Sequence, residues 1–259
     1  MKEINHYYTD EVNTEFSGIT RKKVIVDKDF PFVHRNPIWK ICEYILYYII
    51  IYPVAYLYSL IHLRQKIVGK KKLRGFKGQY FMYGNHTQVP GDGMMPPRIM
   101  FPRKVFDLVS PDNIAVKGTK NILLMVGALP IPNDIHGIKP FEKAIEYRIK
   151  HHQPICIYPE AHIWPYYTGI RNFKSVSFRY PIKLDKPVFC FTNTYKKTRF
   201  FKRPKLVTYV DGPFYPNKEL SSKEQVEDLR NQVYNTMKER SLNSNYEYKH
   251  HYIKEEEHV

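Results

Sequence analysis

Cysteine is scarce. Cys42, Cys156 and Cys190 are odd in number and share no short spacing, so the 259-residue chain encodes neither a disulfide framework nor a two-plus-two cysteine metal site. This pattern fits a reducing, cytosol-facing location. Other absences narrow the function. The sequence has no Gly-rich loop ending in Gly-Lys-Ser/Thr, no Gly-x-Ser-x-Gly elbow and no His-Glu-x-x-His zinc helix. The first 36 residues lack the apolar centre and small-residue cleavage site of a secretory signal, so secretion is not expected. There is no internal repeat and no low-complexity linker. Acidic residues are missing from one long stretch, since no Asp or Glu occurs between Glu43 and Asp92.

What is present is basic and aromatic. Against 25 Asp plus Glu stand 41 Lys plus Arg, a formal net charge of +16, and 43% of residues are hydrophobic, with 22 Tyr and 15 Phe. Such a chain folds, and its length suits one sizeable domain. Its charge calls for an anionic partner, which by the total alone is a membrane surface, a nucleic acid or a phosphorylated substrate. Tyr44 to Ile61 carries no charge over 18 positions, at the lower limit for crossing a bilayer core of roughly 30 Å. Pro53 and six tyrosines in that run predict two short helices lying in one leaflet, an interfacial hairpin. A buried hairpin of soluble helices is the alternative. Arg64, Lys66, Lys70, Lys71, Lys72, Arg74 and Lys77 follow directly. Basic residues beside an apolar aromatic segment suit anionic headgroups, where each adds about 1 kcal/mol, although a solvated basic face reads the same way.

Beyond this the pattern is α/β. Strands are expected at Gln79 to Tyr83, Val105 to Val109, Leu129 to Ile131, Pro154 to Tyr158, Val188 to Asn193 and Leu206 to Val210. Helices are expected at Asn113 to Val126, Pro140 to His151 and Ser221 to Ser241. The alternation predicts a largely parallel sheet flanked by helices. The chain divides into a polar segment (1–36), membrane-associating helices with a basic linker (37–78), a catalytic domain (79–241) and a polar, frayed tail (242–259).

The candidate chemistry lies in Asn85-His86-Thr87-Gln88-Val89-Pro90-Gly91-Asp92, after a strand, where open α/β sheets place their sites. A histidine can take a proton from an alcohol while a carboxylate on its other nitrogen fixes the tautomer and steadies the imidazolium. If the substrate alcohol attacks an acyl thioester itself, no serine nucleophile is needed. A loop histidine capping a turn is the alternative. Further along stand Tyr158-Pro159-Glu160-Ala161, then Asn172-Phe173-Lys174 and Phe178-Arg179, with Gly127 ahead of Leu129-Pro130-Ile131-Pro132.

In this order the blocks resemble the lysophospholipid (glycerolipid) acyltransferase family. The resemblance implies an acyltransferase fold, with His86 as general base and Asp92 as its orienting partner. It implies acyl transfer from acyl-CoA or acyl carrier protein to a lysophospholipid, most simply 1-acyl-glycerol-3-phosphate giving phosphatidic acid, or to a related lysophospholipid or glycolipid. It places Asn85 and Glu160 at the acceptor. The family separates its His and Asp by four residues, whereas five stand between His86 and Asp92. Its Glu-Gly-Thr-Arg is Glu160-Ala161-His162-Ile163 here, and the arginine expected after the Gly127 block is absent too, so both arginines that the family uses on the acceptor phosphate are missing. His162, Arg171, Lys174, Arg179 and Lys139 are the candidates to bind in their stead. Glu160 could equally form a structural ion pair, and His162 a packing contact.

No cofactor and no metal is expected, because the pairs His151-His152 and His250-His251 lack supporting carboxylate spacing. The expected partners are membrane lipid and the acyl donor, at the cytoplasmic face of the cell membrane. Nucleic acid is not expected, for no nucleic-acid-binding module is recognisable. Lys196 to Lys205 interleaves six basic residues with Phe200 and Phe201, as a second lipid contact or a solvated loop. The competing class is a non-catalytic basic adaptor for anionic membranes or nucleic acid. The oligomeric state is not encoded.

Overall fold

Residues 3–16, 24–115 and 118–255 are described by the computed structural model. A seven-stranded sheet forms its centre, in the order β2 (Lys66–Val68), β8 (Lys205–Phe214), β7 (Val188–Lys196), β3 (Phe81–Gly84), β6 (Ile155–Ile157), β4 (Phe106–Val109), β5 (Ala128–Pro130). All neighbours run parallel except β7 and β8, which pair antiparallel. β3 shows why its residues are apolar without alternating with polar ones. Phe81 and Tyr83 face one core cluster with Cys190 and Phe178, while Met82 faces the other with Phe189 and Phe191. A strand covered on both faces is buried throughout.

The expected strands are present, with ends displaced by one or two residues, except that β7 and β8 run on to Lys196 and Phe214, past the expected Asn193 and Val210. The helices expected late in the chain form at Ile138–Lys150 and Ser222–Ser241, the second opened by a capping box between Ser221 and Glu224. The expected helix Asn113 to Val126 is a 3-10 turn at Pro111–Ile114 and a helix at Lys120–Met125, and its residues 116–117 lie outside the described ones.

Where two short helices were expected, one helix runs from Pro37 to His62. Pro53 does not break it, because the preceding Ile45–Ile51 is π-helical and Pro53 stands in the first turn of the α-helical stretch Tyr52–Leu57. Its missing N–H thus falls where the hydrogen-bond register is changing. One face is fastened to the domain. Lys104 bonds Glu43 and the Met125 carbonyl, the Tyr47 hydroxyl accepts from Val105 N, and Tyr52 stacks on Phe101 at 4.3 Å. Ile41, Ile45, Ile49, Val54, Leu57 and Ile61 remain exposed.

The basic stretch behind this helix is not a linker. Lys66–Val68 is an edge strand and Lys70–Gly75 a short helix. Nor does the described part of the tail fray: β9 (His250–Lys254) pairs in parallel with β1 (Ile4–Tyr8), joining the two ends of the chain. Residues 256–259 lie outside the described ones.

Candidate active site

β3 ends at Gly84, where a Cβ would stand 2.2 Å from the Phe191 ring, so a side chain here would displace the ring of its partner on β7. The chain then turns through Asn85 to Pro90 into the helix Gly91–Met100. His86 Nδ1 lies 2.7 Å from Asp92 Oδ2. That same oxygen accepts from Gln88 N at 2.8 Å, and Asp92 N returns a bond to the Gln88 carbonyl at 2.9 Å. The reciprocal turn takes up the fifth intervening residue. Facing a carboxylate, Nδ1 carries the proton, which leaves Nε2 free to act as a base. The histidine side chain is 23% exposed and the carboxylate 5%. Burial pushes the Asp92 carboxyl up, and the hydrogen bond and charge of His86 draw it back. A carboxylate so poorly solvated gains most when its neighbour becomes an imidazolium.

Tyr158 stacks on His86 with ring centroids 4.5 Å apart, and its hydroxyl donates to the Asp92 carbonyl at 2.5 Å. Pro96 explains why that carbonyl is open. Four residues beyond Asp92, it stands where a helix would supply an N–H, and proline has none. The sequence signal for Tyr158 was therefore present in Pro96, but is legible only once the helix through it is known.

Glu160 is 3% exposed and ties the two site loops together. It accepts from His86 N at 2.8 Å and from Arg171 N at 2.9 Å, and its oxygen Oε2 lies 3.6 Å from the Arg171 guanidinium. Burial pushes its carboxyl up, while Arg171 and the two amides draw it back. Trp164 N and Tyr166 N complete the seam by donating to the carbonyls of His86 and Thr87, at 3.1 and 2.9 Å. Ala161, where the resembled family has glycine, takes a left-handed φ of 63°.

The remaining candidates are dispersed. Asn85 is enclosed and exchanges two bonds with the Asn193 backbone, latching β3 to β7. Arg171 is 0% exposed, over Trp164 and against Glu160, so both residues support the site from inside and present nothing to an acceptor. His162 pairs with Glu15 at 2.7 Å. Lys174 is exposed near Asp10, and Arg179 meets Glu142 at 3.5 Å, an acid that lines a surface groove with Lys139 and Lys183. Neither Lys174 nor Arg179 touches the dyad in the described contacts. Of the cations named as candidates for the acceptor phosphate, Arg171 is turned to Glu160 inside the protein and Arg179 to Glu142 on another helix.

No family model and no curated protein matches this sequence. Among solved structures, the chain is similar to the crystal structure of the 1-acyl-sn-glycerophosphate (LPA) acyltransferase PlsC from Thermotoga maritima. The TM-score is 0.52 at 13% identity, covering 80% of this chain and 84% of that one. At that identity the likeness establishes a shared fold.

Proposed function

We propose that the protein is a membrane-surface acyltransferase, moving an acyl chain from an acyl thioester to the free hydroxyl of a lysophospholipid. The acceptor favoured is 1-acyl-glycerol-3-phosphate, giving phosphatidic acid, and the donor is acyl-CoA or acyl carrier protein. The observation that carries this reading is the 2.7 Å contact between His86 and a buried Asp92, on a fold shared with an LPA acyltransferase. His86 Nε2 removes the acceptor's hydroxyl proton as the oxygen attacks the thioester carbonyl. Asp92 stabilises the imidazolium, which then returns the proton to the departing thiolate. Every bond change is met by acceptor, donor and one imidazole, so the mechanism calls for no cofactor.

The long helix supports a membrane location. It is long and apolar enough to cross a bilayer, but its contacts from Glu43 to Tyr52 lay it along the domain. An arrangement with one face docked and the opposite face apolar suits a helix lying in a single leaflet at the cytoplasmic face. Residues 37–78 then form the membrane-facing part and 79–241 the catalytic part. A basic adaptor would have no use for a histidine held against a buried carboxylate behind β3.

The test presents purified protein in vesicles with a radiolabelled acyl thioester and, in turn, lysophosphatidic acid, other lysophospholipids and a glycolipid. Labelled phosphatidic acid as the main product supports the reading. A main product from another acceptor would shift the headgroup, and absence of product from every pair would refute acyl transfer.

A further inference from the structure

The hairpin loop between β7 and β8 carries the most exposed large apolar side chain among the described residues, Phe200 at 85%, with Phe201 beside it at 60%. Five cations surround the pair: Lys196, Lys197, Arg199, Lys202 and Arg203. From Lys186 to Val210 there is no acidic residue, so this is a second acid-free stretch besides that between Glu43 and Asp92. The fold brings the two stretches together. Arg64, just beyond the long helix, donates to Thr198 Oγ1 at 3.2 Å and to the Arg203 carbonyl, and its guanidinium lies 4.1 Å from the Phe201 ring centroid. Arg203 in turn meets His62, in the last turn of that helix. On the other side Lys197 N donates to Asn245 at 3.0 Å and the Tyr246 hydroxyl to the Lys202 carbonyl at 3.3 Å. The loop is braced from two directions, and both rings of its tip stay largely exposed, touched among the described residues only by the guanidinium groups of Arg64 and Arg199.

We infer that this loop is a second membrane contact, in which Phe200 and Phe201 insert between the headgroups of an anionic bilayer while the surrounding Lys and Arg side chains bind lipid phosphates. Exposed aromatic rings among cations without an acid match the chemistry of a negatively charged interface, which offers apolar depth and surface charge together. An acidic protein would satisfy the cations and leave the rings in water, and nucleic acid would do likewise unless its bases were unstacked. The loop extends the exposed apolar face at the end of the long helix, where Leu60 and Ile61 are also uncovered. Leu63 connects this end to the dyad, since a Cβ on Gly91 would stand 3.3 Å from its Cδ1. The axis of the long helix and a contact beside it define a plane, so the loop fixes the orientation in which the His86 loop faces the lipid.

Cosedimentation with phosphatidylglycerol/phosphatidylcholine vesicles tests this. Phe200→Ser with Phe201→Ser should weaken partitioning at least ~10-fold, whereas Ile135→Ser, an equally exposed apolar position elsewhere, should leave it unchanged. Lys202→Glu should weaken binding to anionic vesicles and leave binding to pure phosphatidylcholine unaltered. Phe200→Trp supplies a readout without loss of aromatic character, its emission shifting to the blue and losing iodide quenching when vesicles are added. Wild-type partitioning by the double variant, or an unshifted Phe200→Trp, overturns the inference. So does a polyanionic protein or oligonucleotide whose binding the double serine variant weakens while its vesicle partitioning stays at the wild-type level. None of these readouts requires turnover, so the contact can fail while acyl transfer stands, and the reverse.

Discussion

At the scale of single residues, the site is a set of exchanges between backbone and side chain. Pro96 removes an N–H, and Tyr158 fills the vacancy at the Asp92 carbonyl while its ring packs on His86. Tyr158→Phe keeps the ring and loses the donor. It should cost about 1–3 kcal/mol of stability for the orphaned carbonyl, read in urea unfolding, and lower kcat with little change in the acceptor KM. His86 and Asp92 were legible because base and carboxylate must be neighbours, and a strand end is where such pairs gather. Asn85, Arg171 and Glu160 were legible as residues that matter, but their direction was not. Whether Arg171 points at a ligand or into the protein depends on Trp164 and on an ion pair 11 residues back in sequence, and no local pattern encodes that.

The elements divide by how their signals arise. Strands β3, β6 and β7 are covered on both faces, and β3, β6 and the first four residues of β7 read as apolar runs, while helix Ser222–Ser241 has both capping and period. The helix Gly91–Met100 was illegible because two prolines and two glycines argue against it, and tertiary contacts outweigh propensity there. Strands β1 and β9 leave no mark in the sequence for another reason: each is short and polar, and they exist only because they meet. The long helix is fixed to the domain through Lys104, which is 6% exposed against Glu43 at 12%. Lys104→Met would leave that carboxylate buried without a partner and should destabilise by about 3–5 kcal/mol. The double variant Lys104→Met, Glu43→Leu should recover most of the loss. Equal instability of single and double variants, by chemical denaturation, would show that the pair does not hold the helix.

Over the whole molecule, the +16 charge is organised by folding. Two acid-free stretches far apart in sequence become neighbours, a juxtaposition no composition could reveal. The chain ends also meet, through a 2.7 Å contact between His6 Nε2 and His250 Nδ1. Burial, with His6, Lys249 and His251 nearby, lowers the His250 pKa to about 4, and burial lowers His6 as well. The unfolded chain binds these protons more readily than the fold, so stability is full above the ordinary histidine pKa of about 6.5 and falls as pH drops from there toward 4. A thermal midpoint lower at pH 5 than at pH 7 is expected, with a smaller difference in His250→Asn. An identical difference in both proteins would rule out this pair as its source.

The central claim is that His86, steadied by Asp92, deprotonates the acceptor hydroxyl. Thiol release from an acyl thioester, followed with lysophosphatidic acid present and absent, tests it in wild type, His86→Ala and Asp92→Asn. Acceptor-dependent release in wild type should fall by about 10²–10⁴ in both variants while their circular dichroism and vesicle binding stay unchanged. A folded His86→Ala protein that releases thiol at the wild-type rate would contradict it.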